Sequence, residues 1–353
     1  MYPVSKMAFI KVPVSLDRNF RIFFAGTWLL LSAKSAEAIL DKLTRRRGPG
    51  LIVERFELMG GPPMDDLRSV RKLYAESIRQ KANLRSEHLV RGLAEVPRED
   101  YLGPGPWKIM RFVFPLKYED TPDANPAHIY DDVLVALDQY RGLNNGLPSA
   151  VACWLDAMNL QPGEHVVHLG CGTGYYTALI AHSVTESGRV TAIELDTHLA
   201  DRARTNLRAF CQVEVIAGDA TRHDPGPVDA IFVNAGATHP CPLWLESLKP
   251  SGRLVFPMIR WAEGAVMGVG VAGWGVMMRI ERTQSGFAAQ WLAPCGYYPC
   301  FGAIDSDADR RLGEALEKNG LTDVRSLRVE KHDAEESCLL HGKGYCFSRL
   351  DCS

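Results

Sequence analysis

The feature that most constrains this chain is the run from Val166 to Glu194. His165-Val166-Val167-His168-Leu169 is an apolar stretch of strand length that runs directly into Gly170-Cys171-Gly172-Thr173-Gly174, and Tyr175 to Ser183 then reads as a helix. Val190-Thr191-Ala192-Ile193-Glu194 is a second strand that ends in a carboxylate. Strand, glycine turn and helix N-terminus make a cofactor cradle, because glycine lets the backbone turn sharply and lets a ligand approach it. An acid at the end of the second strand is placed to accept ribose hydroxyls.

Two cofactor classes use such a cradle. The dinucleotide fingerprint G-x-G-x-x-G sets a pyrophosphate on the helix N-terminus. Here the third glycine comes one residue early, at Gly174, and Tyr175 stands where that fingerprint wants glycine or alanine. The G-x-G-x-G form suits the amino-acid portion of S-adenosyl-L-methionine, which carries no phosphate. The sequel strengthens that reading. Val213 to Ile216 is a third strand leading to Gly218-Asp219-Ala220, where Asp219 is placed to accept from an adenine amine. Val228 to Asn234 is a fourth strand, and Leu248-Lys249-Pro250-Ser251-Gly252-Arg253-Leu254 turns into a fifth. Val266 to Arg282 and Gln290 to Phe301 suggest a closing antiparallel pair. The expected fold is α/β, a doubly wound seven-stranded Rossmann-like methyltransferase sheet with an N-terminal helical part and a C-terminal α+β extension. The expected cofactor residues are Gly170, Cys171, Gly172, Thr173, Gly174, Glu194, Asp219 and Ala220.

Four regions are expected: an extension over 1–64, a helical and loop region on the substrate side over 65–146, the core over 147–304 and the C-terminal extension over 305–353. The break Gly60-Gly61-Pro62-Pro63 ends the first region. Ser86 before Leu89-Val90 predicts a capped second helix in the next region, and Met110 to Leu116 a strand amid loop and lid material. The last region predicts a helix over Ala308 to Lys318 and strands over Val324 to Val329 and Tyr345 to Arg349. The short apolar run Ile22 to Leu31 reads as a buried strand or helix, too short to span a bilayer as a helix. Arg45-Arg46-Arg47 reads as a solvated helix end, and Met59 or Met64 is an alternative start. With a net charge of −2, the chain carries no signature of a nucleic-acid or membrane partner. Nine scattered cysteines fit a reducing, cytoplasmic setting.

The sequence resembles the protein-L-isoaspartate O-methyltransferase family over about two thirds of its length, from Asp65 to Ile304. The likeness rests on Val96-Pro97-Arg98-Glu99-Asp100-Tyr101, on Leu147-Pro148 before a helix, on Val167 to Tyr175 and on Leu248 to Leu254. It implies methylation of a carboxylate of damaged aspartate in a peptide or protein substrate, the first step of its repair. A carboxylate is ionised at pH 7 and attacks a sulfonium methyl without a general base. The protein has to align the groups and exclude water.

The family's T-I-S-x-P stretch is altered. Aligned on Pro148, Gly146 stands at the serine, Asn144 and Asn145 precede it, and Ser149 follows the proline. Asn144, Asn145 and Ser149 are therefore the candidate catalytic-side polar contacts. The departure keeps two alternatives open: an aspartate methyltransferase of a peptide natural product, and a cofactor-binding module without catalysis.

Other residues read more plainly. Cys171 is small-residue packing, since no base is arranged beside it. His168 is a core histidine, and Cys295 and Cys300 are buried thiols. One of Tyr175 and Tyr176 lines the cofactor site and the other is core. Asp131 and Asp132 hold a lid or form an exposed turn. Cys338, His341 and Cys346, with His332 upstream, read as a hairpin around His341-Gly342-Lys343-Gly344, and no metal is expected.

Overall fold

The computed structural model describes residues 20–24, 27–31, 67–111, 117–261, 273–318 and 321–352. It divides into two units, Met1–Gly60 and Gly61–Ser353. In the first, β1 (Phe20–Phe24) pairs antiparallel with β2 (Thr27–Leu31), Phe20 opposite Leu31. The run from Ile22 to Leu31 is thus parts of two paired strands and not one element. The Arg45-Arg46-Arg47 and alternative-start expectations lie outside the described residues.

The second unit opens with α1 (Leu67–Ala82) and α2 (Glu87–Glu95). Ser86 caps α2, its side chain accepting from the Leu89 N–H at 3.3 Å, as its position before the apolar residues predicts. Four short strands follow, β3 (Lys108–Met110), β4 (Glu119–Asp120), β5 (Leu134–Asp138) and β6 (Leu143–Asn144), which form a small sheet in the order β4-β3-β5-β6. Loop material was expected here, because strands this short carry too few alternations to read. The strand expected over Met110 to Leu116 ends at Met110, and residues 112–116 lie outside the described set. Then α3 (Pro148–Ala157) starts with proline in its first turn, and Asp132 Oδ1 accepts the N–H of Ser149 at 2.9 Å. That acid caps a helix.

The core alternates strand and helix: β7 (His165–Leu169), α4 (Tyr175–Val184), β8 (Arg189–Glu194), α5 (Thr197–Asn206), β9 (Val213–Ala217), β10 (Val228–Val233), α6 (Pro242–Glu246), β11 (Leu248–Trp261). β12 (Gly273–Arg282) and β13 (Phe287–Tyr297) close it as the expected antiparallel pair, although residues 266–272 are outside the described set. The chain ends with α7 (Ser306–Lys318), β14 (Ser326–Arg328), β15 (Cys338–Gly342) and β16 (Tyr345–Ser348).

Among the described residues the large sheet has ten strands, in the order β15-β16-β14-β13-β12-β11-β10-β7-β8-β9. Seven of them, β7 to β13, come from the core region, and the three strands of the C-terminal extension continue the same sheet. β13 leaves an edge of unpaired backbone groups, and β14 takes it up through Phe287 opposite Leu327 and Ala288 opposite Ser326. β7 to β11 pair in parallel and the rest antiparallel. β7 and β10 are neighbours, yet the chain runs outward from them in opposite directions. In such sheets the ligand crevice lies beyond the carboxyl ends of the strands at that reversal.

Alternate residues of the strands feed a core on each face. Val166 and Phe232 join Leu179 and Ile180 of α4 on one side, and Val167 and Ile231 join Trp244 and Leu312 on the other. Every residue of α4 except His182 is buried, as befits a helix that is apolar all round. Full burial of Leu179 and Ile180 stabilises the fold by about 1.5–3 kcal/mol each. This packing fixes where the glycine loop sits.

Candidate active site

A cavity of about 610 Å³ opens beyond the ends of β7, β8 and β10. Of the residues expected at a site, Asn144, Asn145, Gly170, Cys171, Gly172, Glu194, Asp219 and Ala220 line it, and Ser149, Thr173 and Gly174 do not. Gly174 instead N-caps α4 at φ +96°, where a Cβ would come within 2.8 Å of Leu207 Cδ1. Thr173 is 1% exposed, and its carbonyl accepts from Asn206 Nδ2 at 2.9 Å, which ties the loop to α5. Ser149 donates its N–H to Asp132 and serves the helix start.

Glu194 faces the glycine loop and braces it. Its carboxylate accepts the N–H of Gly172 at 2.7 Å and the N–H of Asp196 at 3.0 Å. Burial raises its pKa above the ordinary carboxylate value, with those two amides pulling the other way. Gly172 has φ +57°, and a Cβ there would have nothing nearer than Leu137 Cδ1 at 4.0 Å. The missing side chain is cavity space, as a cradle for a ligand backbone requires. Asp219 Oδ1 accepts from the backbone N–H and hydroxyl of Thr221 at 2.9 and 2.8 Å. Its orientation is therefore set before any ligand arrives.

The opposite wall comes from the β5–β6 hairpin and the start of α3. Asn145 is 7% exposed, and its Nδ2 has no hydrogen-bond partner. Asn145 lines the cavity while this nitrogen is itself shielded from solvent, so a turn of the side chain would be needed to bring the unpaired donor to an incoming acceptor. Asn144 Oδ1 is already engaged by the N–H of Gly146 at 2.8 Å. Gly146 sits at φ +75°, with Val151 Cγ2 at 3.1 Å from where a Cβ would be. The backbone at this position thus favours glycine over serine. Arg141 Nη1 meets Asp196 Oδ2 at 2.5 Å and links this wall to the loop after β8.

Burial pushes the Cys171 and Cys295 thiols up, which disfavours their thiolate forms. His168 is fully buried, with Nδ1 at 2.8 Å from Thr177 Oγ1 and its ring beside Phe232. Tyr176 lines the cavity and Tyr175 is core.

Two groups lie outside the candidate residues legible in the sequence. One is the wall built by Pro294 to Gly302 together with Trp274, whose strand register gives no hint of a cavity. Trp274 and Phe301 are 51% and 57% exposed there. The other is Arg98, which is fully buried and donates to the carbonyls of Ile129 at 2.6 Å, Asp131 at 3.2 Å and Val133 at 2.9 Å. It fixes the loop that leads into β5. The Val96-Pro97-Arg98-Glu99 segment was the available signal.

Known proteins resemble this chain in sequence and in fold. The family model for protein-L-isoaspartate(D-aspartate) O-methyltransferase matches residues 69–268. A protein-L-isoaspartate O-methyltransferase of Aeropyrum pernix is 30% identical over 227 residues, 63% of this chain and 75% of that one. Protein-L-isoaspartate O-methyltransferase 2 of Archaeoglobus fulgidus is 34% identical over 204 residues, 56% of this chain and 83% of that one. The enzyme of Methanopyrus kandleri is 30% identical over 241 residues, 67% and 92% of the two chains. A solved protein-L-isoaspartate O-methyltransferase shares the fold, with a TM-score of 0.52 at 19% identity, over 70% of this chain and 69% of that one. The chain belongs to the protein-L-isoaspartate(D-aspartate) O-methyltransferase family.

Proposed function

We propose that this protein is an S-adenosyl-L-methionine-dependent methyltransferase acting on a carboxylate of isoaspartyl residues in peptides or proteins. The observation that carries this reading is one cavity lined by the glycine loop, Glu194 and Asp219 on one side and by Asn145 on the other.

The residues fit the cofactor. Gly172 leaves space beside the loop, and Glu194 and Asp219 are acceptors for ribose hydroxyls and the adenine amine. S-adenosylmethionine supplies a methyl group activated by a positive sulfonium. The chain has three tasks. Glu194 holds the loop in shape through Gly172. Asn145, by a turn of its side chain, would offer its unpaired Nδ2–H to a substrate oxygen. Leu134, Val151 and Trp154 line the cavity with apolar surface, which keeps water from competing with the nucleophile. An ionised carboxylate needs no general base to attack the methyl group. The exposed Trp274 and Phe301 offer apolar area to a peptide chain. The family match supports a peptide or protein partner, and nine scattered, unpaired cysteines support a reducing, cytoplasmic setting. Among the described residues no helix is long and apolar enough to cross a membrane.

The test is transfer of labelled methyl from S-adenosylmethionine to a short isoaspartyl peptide beside its aspartyl twin. Transfer to the isoaspartyl peptide alone is expected. Transfer to neither, with cofactor binding shown by calorimetry, would overturn the substrate assignment and leave the cofactor site standing.

A further inference from the structure

We infer that the C-terminal hairpin carries a structural zinc site formed by His332, Cys338, His341 and Cys346. One ligand atom from each of these residues lies within 4.8 Å of all the others. A tetrahedral zinc ion, bonded at about 2.3 Å to sulfur and about 2.0–2.1 Å to nitrogen, needs ligand atoms about 3.3–3.8 Å apart. Cys338 Sγ and His332 Nε2 are already at 3.6 Å. Small side-chain rotations would bring the set onto one ion.

The hairpin expected from the sequence is there, and its geometry makes the site. In a regular strand, residues three apart point to opposite faces. The register shifts between Cys338 and Leu340, with Cys338 opposite Ser348, Leu340 opposite Phe347 and His341 opposite Cys346. Cys346 and Ser348 share a face, so their partners His341 and Cys338 share it too. The bulge thus puts three ligands on one face. Phe347, on the other face, packs into the core. His332 comes from the loop between β14 and β15.

The surroundings match a metal site's needs. His332 Nδ1 lies 2.9 Å from the Glu330 carbonyl, which fixes the ring with Nε2 turned to the cluster. Cys338 Sγ accepts the N–H of Glu335 at 3.4 Å, which orients the sulfur. His341 Nδ1 is buried without a hydrogen-bond partner. Two thiolates and two neutral imidazoles suit zinc among the common ions, and four protein ligands leave no open position for catalysis. Binding would release the two thiol protons to solvent and balance the charge of the ion. Its effect would be to pin the loop after β14 onto the edge of the main sheet.

The test uses the full chain, purified reduced and dialysed without chelator, with metal measured by plasma mass spectrometry. About one zinc per chain is expected. Cobalt exchanged into the wild-type protein should give the thiolate-to-metal charge-transfer absorption of a tetrahedral site. His332→Ala, a substitution in a loop, and Cys338→Ser should each lose that absorption and most of the zinc. Cys211→Ser, at an exposed cysteine elsewhere, should keep both. Reduced wild-type protein that holds less than about a tenth of an equivalent of zinc and gives no cobalt–thiolate band would overturn the site. So would a Cys338–Cys346 disulfide found by mass spectrometry in protein purified under reducing conditions.

Discussion

The carboxylate of Glu194 accepts the N–H of Gly172 at 2.7 Å, so the acid at the end of β8 and the glycine loop after β7 form one rigid wall. Replacing Glu194 removes the brace and, with it, the proposed ribose acceptor. Charged hydrogen bonds contribute about 1.5–3 kcal/mol. Glu194→Ala should therefore weaken S-adenosylmethionine binding about ten- to a hundred-fold while the fold is retained. Calorimetric titration checks this, and an unchanged dissociation constant would remove Glu194 from the site.

The same acid predicts a pH dependence. Burial, opposed by the amides of Asp196 and Gly172, holds its pKa above the ordinary carboxylate value. The ionised form is the better acceptor. Cofactor affinity should be full at neutral pH and fall as pH drops through the raised pKa, above the usual ~4.3 for glutamate. Folding stability responds in the opposite sense, since a raised folded pKa favours the protonated native state as pH falls. Glu194→Gln should flatten the affinity profile. A wild-type loss confined to the ordinary carboxylate range would contradict the assignment.

Gly146→Ser would place the family's serine on a backbone at φ +75° and press its Cβ against Val151 Cγ2. Left-handed backbone costs an L-residue about 1–2 kcal/mol. The variant should melt several degrees lower and show no gain in methyl transfer. A variant as stable as wild type would mean that this loop adjusts freely.

Arg98 donates to three backbone carbonyls, and its guanidinium carbon lies 5.9 Å from the centroid of the Tyr175 ring. A lysine keeps the charge and loses the planar fork. At about 1–3 kcal/mol per unsatisfied buried group, Arg98→Lys should cost about 2 kcal/mol or more in urea unfolding. A loss under about 0.5 kcal/mol would show that the carbonyls find other partners.

His168 is buried and neutral, its pKa depressed to about 3 by burial. The unfolded chain binds a proton below about 6.5 that the folded chain refuses. Stability is thus fully present above that pH and should fall by about 1.4 kcal/mol per unit on acidification. His168→Phe should remove that slope between pH 6 and 4. Parallel slopes for the two proteins in urea titrations would show that the histidine does not set it.

The sequence alone determined the parallel core and one wall of the site. Strand, glycine turn, helix and acid are consecutive along the chain, and the chemistry of Gly172 and Glu194 follows from their local order. The ten-stranded extent of the sheet was not legible, because β14 and β16 find their place through the open edge of β13 and not through any local pattern. Asn145 was one of three equal polar candidates. Only the fold buries its amide unpaired and turns Ser149 to a helix start. The conformation at Gly146, the carbonyl cage of Arg98 and the bulge that gathers Cys338, His341 and Cys346 likewise depend on chain segments far apart or on one shifted register. Local order fixes periodicity and turn chemistry; which side chains face one cavity is decided by packing, and packing exists only in the folded chain.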